Sequence, residues 1–333
     1  MSALLERPYR PPLPLRSGNL QTYLASSPWR AWGPNPMQAV AIAEVIATAG
    51  GVRLLGVRSR QTAAPKGLAI LLHGWEGSAD STYMRCSGRA LHRRGYEVFR
   101  LNLRDHGSSH HLNRGIFFAA HIEEVFDAVG RLSRDVHPLP VFLVGFSLGA
   151  NFALRIALQC RLRPIINLRH VAAVSPVLDP EESTRRADRH PVIRRYFMRK
   201  WRRALDLKQR LFPDLYDFSA AIRSATIQSA TDLILEKYSD FASSRSYFAT
   251  YTLTGATLKA LPLPATLLSA EDDPIIPVQN FRELQLNPST RTVIHRYGGH
   301  NGFLEGLTLR GRYENDLPDM FDRMAEKTLS GDG

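Results

Sequence analysis

Cysteine is scarce in this chain: two in 333 residues, Cys86 and Cys160. Neither stands in a metal-ligand or redox spacing, so a disulfide framework is excluded and both read as packing residues of a reducing compartment. Long hydrophobic runs are also missing. The most apolar stretch, Ala39 to Val52, is interrupted by Glu44 and falls short of the roughly 20 residues that a membrane span needs. The first ten residues mix acidic and basic side chains, and prolines follow where a secretory leader would carry a continuous apolar segment. The expectation is a cytoplasmic protein, with peripheral membrane contact as the furthest it would go.

Acidic residues are few beside the basic ones, 31 against 43, for a net charge of +12. Such a balance raises the question of nucleic acid, but the excess is local: Arg185 to Arg210 holds eleven Lys or Arg against Asp188 and Asp206. No nucleic-acid motif accompanies it, so no nucleic-acid partner is expected. Within this run Ile193, Phe197, Trp201, Ala204 and Leu205 recur at steps of three or four, which predicts an amphipathic helix from His190 to Phe212. Arg194, Arg195, Arg199, Arg202 and Arg203 fall largely off that stripe. They form either a solvated face or a contact for an anionic membrane surface.

What is present is a regular alternation. Apolar runs at Ala39 to Ala49, Val52 to Val57, Leu68 to Leu72, Glu97 to Leu103, Val141 to Phe146, Val171 to Val174, Ala265 to Ser269 and Arg291 to His295 read as eight strands. Helical spacing appears at Ser81 to Arg94, Ile122 to Ser133, Leu148 to Gln159, Val278 to Leu286 and Leu317 to Lys327. Parallel strands need crossover connections, so the class is α/β: a mostly parallel eight-stranded sheet with helices on both faces. Residues 1–36, with seven prolines, read as an irregular arm. Residues 37–175 and 262–333 form the core, and 176–261, where no strand is legible, form a helical cap insertion.

The strongest chemical signal is VFLVGFSLGANFAL, in which a strand runs into Gly145-Phe146-Ser147-Leu148-Gly149 and then into a helix. That is a G-x-S-x-G nucleophile elbow in the strand-turn-helix context it requires. A serine hydroxyl needs a base and an orienting acid, which in this arrangement follow in the order acid, then histidine. LPATLLSAEDDPIIP supplies Asp273, with Asp272 as its competitor, and HRYGGHNGFLEG supplies His300 in a glycine-flanked loop. His295 lies inside the last strand and reads as packing. The oxyanion donors are expected to be the backbone N–H groups of Leu148, directly after the serine, and of Trp75, in the loop after the third strand. The Trp75 side chain is left to line an acyl pocket, and His73 reads as a brace for that loop. His106, His110 and His111 sit in NLRDHGSSHHLN without the spacing of a zinc site, so neither metal nor organic cofactor is expected. Arg104 and Asp105 read as loop-fixing residues.

With those residues in place, the sequence resembles the YheT-like branch of the α/β-hydrolases, related to animal α/β-hydrolase domain proteins and to the medium-chain ester-forming enzymes of yeast. The matching segments are SGNLQTYLAS, LLHGWEGS, LNLRDHG, GFSLGAN, SAEDDP and GGHNGFLEG. The resemblance implies the α/β-hydrolase fold and a serine esterase of lipid metabolism, with an acyl lipid or smaller ester as substrate. It equally implies an acyl transfer to an alcohol in some relatives. Two departures stand out: RDHG replaces the family's R-G-x-x-G, and GIFFAAH replaces its Tyr-His pair. A noncatalytic binding protein on the same fold is the alternative from another class, and the intact Ser147, Asp273 and His300 argue against it.

Overall fold

The computed structural model describes residues 9–306 and 308–329. Eight strands form one sheet: β1 (Ala41–Ala47), β2 (Arg53–Ser59), β3 (Leu68–Leu72), β4 (Glu97–Leu101), β5 (Val141–Phe146), β6 (Leu168–Val174), β7 (Ala265–Ala270) and β8 (Thr290–His295). Their spatial order is β1-β2-β4-β3-β5-β6-β7-β8. The first two pairings are antiparallel, and every pairing from β4 to β8 is parallel. Residues of β3, β4 and β5 are buried throughout, which is why β3 and β5 are unbroken apolar runs without alternation; β4 also buries Glu97, paired with Arg58, and Arg100, which donates to the Ala79 carbonyl.

The helices are α1 (Gly18–Ala25), α2 (Pro36–Ala39), α3 (Thr82–Arg93), α4 (Ile122–Asp135), α5 (Leu148–Gln159), α6 (Pro180–Arg189), α7 (Pro191–Leu211), α8 (Ser219–Arg223), α9 (Ile227–Tyr238), α10 (Ser244–Ala249), α11 (Val278–Arg282) and α12 (Tyr313–Leu329). Each face of the sheet carries its own core. On one side Met84 and Leu91 of α3 and Phe321 of α12 cover Val98, Phe142 and Val144, with Phe142 stacked on Phe321 at 4.3 Å. On the other, α4 and α5 bury Val125, Val129, Phe152 and Ile156 against Ile70, Phe99 and Leu143.

Five helices, α6 to α10, lie between β6 and β7. Proline opens two of them where its missing N–H costs nothing, and Asp179, His190, Thr226 and Ser243 accept hydrogen bonds from the first turns. This block is tied to the core by Asn151, whose Nδ2 donates to the carbonyls of Val177 and Tyr251 at 2.8 and 2.7 Å. Arg155, one turn further along α5, donates instead to the carbonyls of Ala119 and Ala120 just before α4. Among the described residues, no helix is long and apolar enough to cross a membrane.

Three stretches differ from the sequence reading. The arm over 1–36 falls partly outside the described residues, and its remainder is not wholly irregular: Ser17 Oγ accepts from Leu20 N–H at 3.4 Å and caps α1. The helix read as Val278 to Leu286 stops at Arg282, and Gln285 N–H donates to the Gly255 carbonyl at 2.9 Å rather than back along a helix. The last helix starts at Tyr313 rather than Leu317 and runs through Pro318.

Candidate active site

β5 ends at Phe146 and α5 begins at Leu148, so the whole reversal falls on Ser147, at φ 55° and ψ −117°. That conformation is strained for a residue with a Cβ, and the crossing leaves no room around it. A Cβ on Gly145 would lie 2.3 Å from the Gly149 carbonyl oxygen, and one on Gly149 would lie 2.3 Å from that of Leu72. The two glycines therefore let the helix start directly against β3 and β5.

His300 comes from the loop after β8, between Gly299 (φ 54°) and Asn301 (φ 60°). Its Nε2 lies 2.9 Å from Ser147 Oγ and its Nδ1 2.9 Å from Asp273 Oδ2. With Nδ1–H donating to the carboxylate, Nε2 is left to accept the serine proton. Asp273 is buried, and its other oxygen accepts from the Ile275 and Ile276 amides at 2.8 and 2.9 Å. Asp272 points elsewhere: its Oδ1 accepts from Gly299 N–H at 2.8 Å. Burial raises the Asp272 pKa from its ordinary value. His295, within β8, is buried beside Tyr9 and Phe303, and burial pulls its pKa down to about 4.

Sequence reasoning missed what holds the histidine loop. Thr22 Oγ1, on α1, accepts from His300 N–H at 2.8 Å, and a Cβ on Gly299 would collide with the Gly18 carbonyl at 2.2 Å. Gln21, wholly buried, accepts from Leu304 N–H and donates to Leu15 and Tyr9. Ser175, itself at φ 45°, accepts from Asn301 N–H at 3.2 Å. The signal that could have found this clamp was SGNLQTYLAS, in which Gly18, Gln21, Thr22 and Ala25 recur at steps of three and four and so share one face of a short helix.

The N–H groups of Trp75 and Leu148 donate to nothing among the described residues, so both are free for an incoming oxyanion. Gly74 shapes the approach: a Cβ there would sit 3.0 Å from Ser147 Cβ. Tyr83 OH accepts from Gly74 N–H at 3.0 Å. His73 is fully buried, Nδ1 toward the Gly74 carbonyl and Nε2 accepting from Leu103 N–H, with its pKa drawn down to about 4 by burial.

Ser147 and His300 stand between two hollows. One is apolar, walled by Phe117, Phe118, Trp201, Leu205, Phe248 and Tyr251. The other is richer in hydroxyls, among them Thr22, Ser78, Ser81, Thr82 and Tyr196, with Lys200 at its side. The Trp75 ring stacks on Phe197 at 5.2 Å and meets Trp201 edge-on at 5.1 Å, so it divides the hollows and closes onto α7. Glu76, with φ 55°, lines the apolar hollow without a hydrogen bond or ion pair among the described residues. Burial pushes its carboxyl up to about 8 against the opposing pull of Lys200.

In the loop after β4, Arg104 pairs with Glu124, and Asp105 accepts from Phe117 N–H and from Lys208 Nζ, the latter at 2.8 Å. Lys208 is buried and also donates to the carbonyls of His110, Asn113 and Gly115. One cation of the basic run is therefore an internal strut, not surface charge. Two more turn back to backbone: Arg194 to Asp188 and Arg202 to Ser224. His106 and His110 are buried and kept neutral by desolvation, while His111 is exposed.

Residues 69–307 match the model of the alpha/beta hydrolase family. An abhydrolase domain-containing protein of Dictyostelium discoideum is 25% identical over 71% of this chain, and the match spans 61% of that relative's length. YheT of Escherichia coli is 24% identical over 75% of each chain. Among solved structures, the Pyrococcus furiosus esterase Pf2001 superposes with a TM-score of 0.56 at 16% identity, covering 89% of this chain and 94% of its own. The fold, the match over most of the sheet and the likeness to YheT together establish that the chain belongs to the alpha/beta hydrolase family.

Proposed function

We propose that the protein is a serine esterase that cleaves carboxylic esters through an acyl-enzyme on Ser147. The observation that carries the reading is the unbroken relay from Ser147 Oγ through His300 to Asp273, with both links at 2.9 Å. His300 Nε2 removes the hydroxyl proton as Oγ attacks the ester carbonyl, and the carbonyl oxygen takes up negative charge before the free N–H groups of Leu148 and Trp75. Collapse expels the alcohol, which receives the proton from Nε2. Water then enters, loses a proton to Nε2, attacks the acyl carbon, and the acid leaves as Ser147 regains its hydrogen. Asp273 fixes the imidazole tautomer throughout. Every proton in the cycle is supplied by serine, histidine or water.

The two hollows support an ester with an apolar acyl part and a polar alcohol part, a medium-chain or acyl-lipid ester. The test is labelling with a fluorophosphonate, which reacts with an activated serine and not with an ordinary one. Wild-type protein is expected to be labelled stoichiometrically and Ser147→Ala not at all. Folded wild-type protein that stays unlabelled overturns the reading.

A further inference from the structure

The outward face of α7 is chemically unlike the solvated basic face that its composition suggests. Val192, Tyr196, Leu207 and Leu211 are all exposed, at 54, 46, 38 and 40%. They share one side of the helix with Arg195, Arg199 and Arg203, because steps of three and four return to the same face. The opposite side, Ile193, Phe197, Trp201, Leu205 and Lys208, is turned to the cavity and the core. Among the described residues, Arg195, Arg199 and Arg203 form no ion pair or hydrogen bond. The helix carries a single carboxylate, Asp206, and that one is taken by Arg210 at 2.7 Å.

We infer that this outer face of α7 is a docking surface for an anionic lipid surface. Cations interleaved with exposed aliphatic and aromatic side chains are what an interfacial helix needs: the arginines meet phosphate while the apolar groups enter the boundary layer. A polyanion such as nucleic acid would satisfy only the arginines and leave four apolar side chains in water. Position argues the same way. Val192 and Tyr196, at the start of the stripe, also rim the hydroxyl-rich hollow that reaches Ser147, and Lys200 lies 5.3 Å over the Tyr196 ring. Tyr23 of α1, exposed and edge-on to His190, extends the same rim. Docking by this face would bring the mouth of the site to the lipid headgroups.

The inference goes beyond the esterase reading, and its test needs no catalysis. Full-length protein is sedimented with vesicles of phosphatidylcholine alone and of phosphatidylcholine with phosphatidylglycerol, at low and high salt. The expected result is binding to the anionic vesicles only, weakened by salt. R195Q/R199Q/R203Q removes three cations, each worth about fivefold near an anionic surface, so a loss on the order of 100-fold is expected. L207S/L211S should bind anionic vesicles more weakly and shed more readily in salt. None of these five residues lines either hollow, so both variants should hydrolyse a water-soluble ester as the wild type does. Equal binding to both vesicle types, no binding to either, unaltered binding of the arginine variant, or displacement by duplex DNA in preference to lipid overturns the inference.

Discussion

Thr22 Oγ1 accepts the backbone N–H of His300 at 2.8 Å, across 278 residues of sequence. This bond orients the histidine loop from outside the sheet, through a helix that precedes the first strand. Thr22 is thus a positioning residue, one step removed from the chemistry. Thr22→Val keeps the shape but removes the acceptor, and should lower kcat about tenfold with KM little changed, since a small displacement of a base costs roughly that order. Thr22→Ser should restore the rate. A parallel loss in both variants, or a change confined to KM, would make the contact merely structural.

The neighbouring carboxylates separate by function. Asp273→Asn leaves His300 Nδ1 without its acceptor and favours the wrong tautomer, so kcat should fall by about 10⁴. Asp272→Asn weakens only the bond to Gly299 N–H, and an amide oxygen can still accept it, so a loss under about tenfold is expected. Steady-state kinetics on one ester decides it. Equal or reversed losses would transfer the orienting role to Asp272.

Glu76 gives a pH signature with a definite sign. Its carboxyl titrates near 4.5 when exposed and is pushed by burial to about 8 in the folded protein. Below about pH 4.5 both states hold the proton and the residue contributes nothing. As pH rises toward 8, the unfolded chain loses its proton while the folded one keeps it, so folding is progressively disfavoured until the native group also ionises. Glu76→Gln removes that cost. The variant's Tm advantage over wild type should therefore grow across this window, measured by thermal melts at matched ionic strength. A difference independent of pH would mean that the group titrates normally.

These contacts mark where the sequence was legible. β3 and β5 could be read because they are continuous apolar runs bounded by turns, and Ser147 because strand, glycines and helix coincide in one short segment. The joining of Thr22 to His300 and of Lys208 to Asp105 spans 278 and 103 residues, and no local period encodes a bond of that kind. Lys208 was hidden by its company. In a run of arginines it reads as one more solvated charge, and only the fold turns it inward to four acceptors.

That buried pair supplies the last prediction. Burial pushes Asp105 up to about 6 and Lys208 down from its ordinary range, so desolvation opposes both charges more than their mutual attraction favours them. Such a pair costs most when only one partner is taken away. Lys208→Met leaves the buried Asp105 without its cation, holding only the Phe117 N–H, and takes the Nζ donor from three carbonyls, so it should destabilise the fold by about 3–5 kcal/mol. Asp105→Asn leaves Lys208 three carbonyl acceptors and should cost about 1–3 kcal/mol, the penalty of one weakened buried bond. In the double variant the stranded carboxylate is gone, so its loss should be smaller than the sum of the two by at least about 1 kcal/mol. Urea unfolding of the four proteins measures this coupling. Strict additivity would mean that Asp105 and Lys208 stabilise the loop and the cap independently.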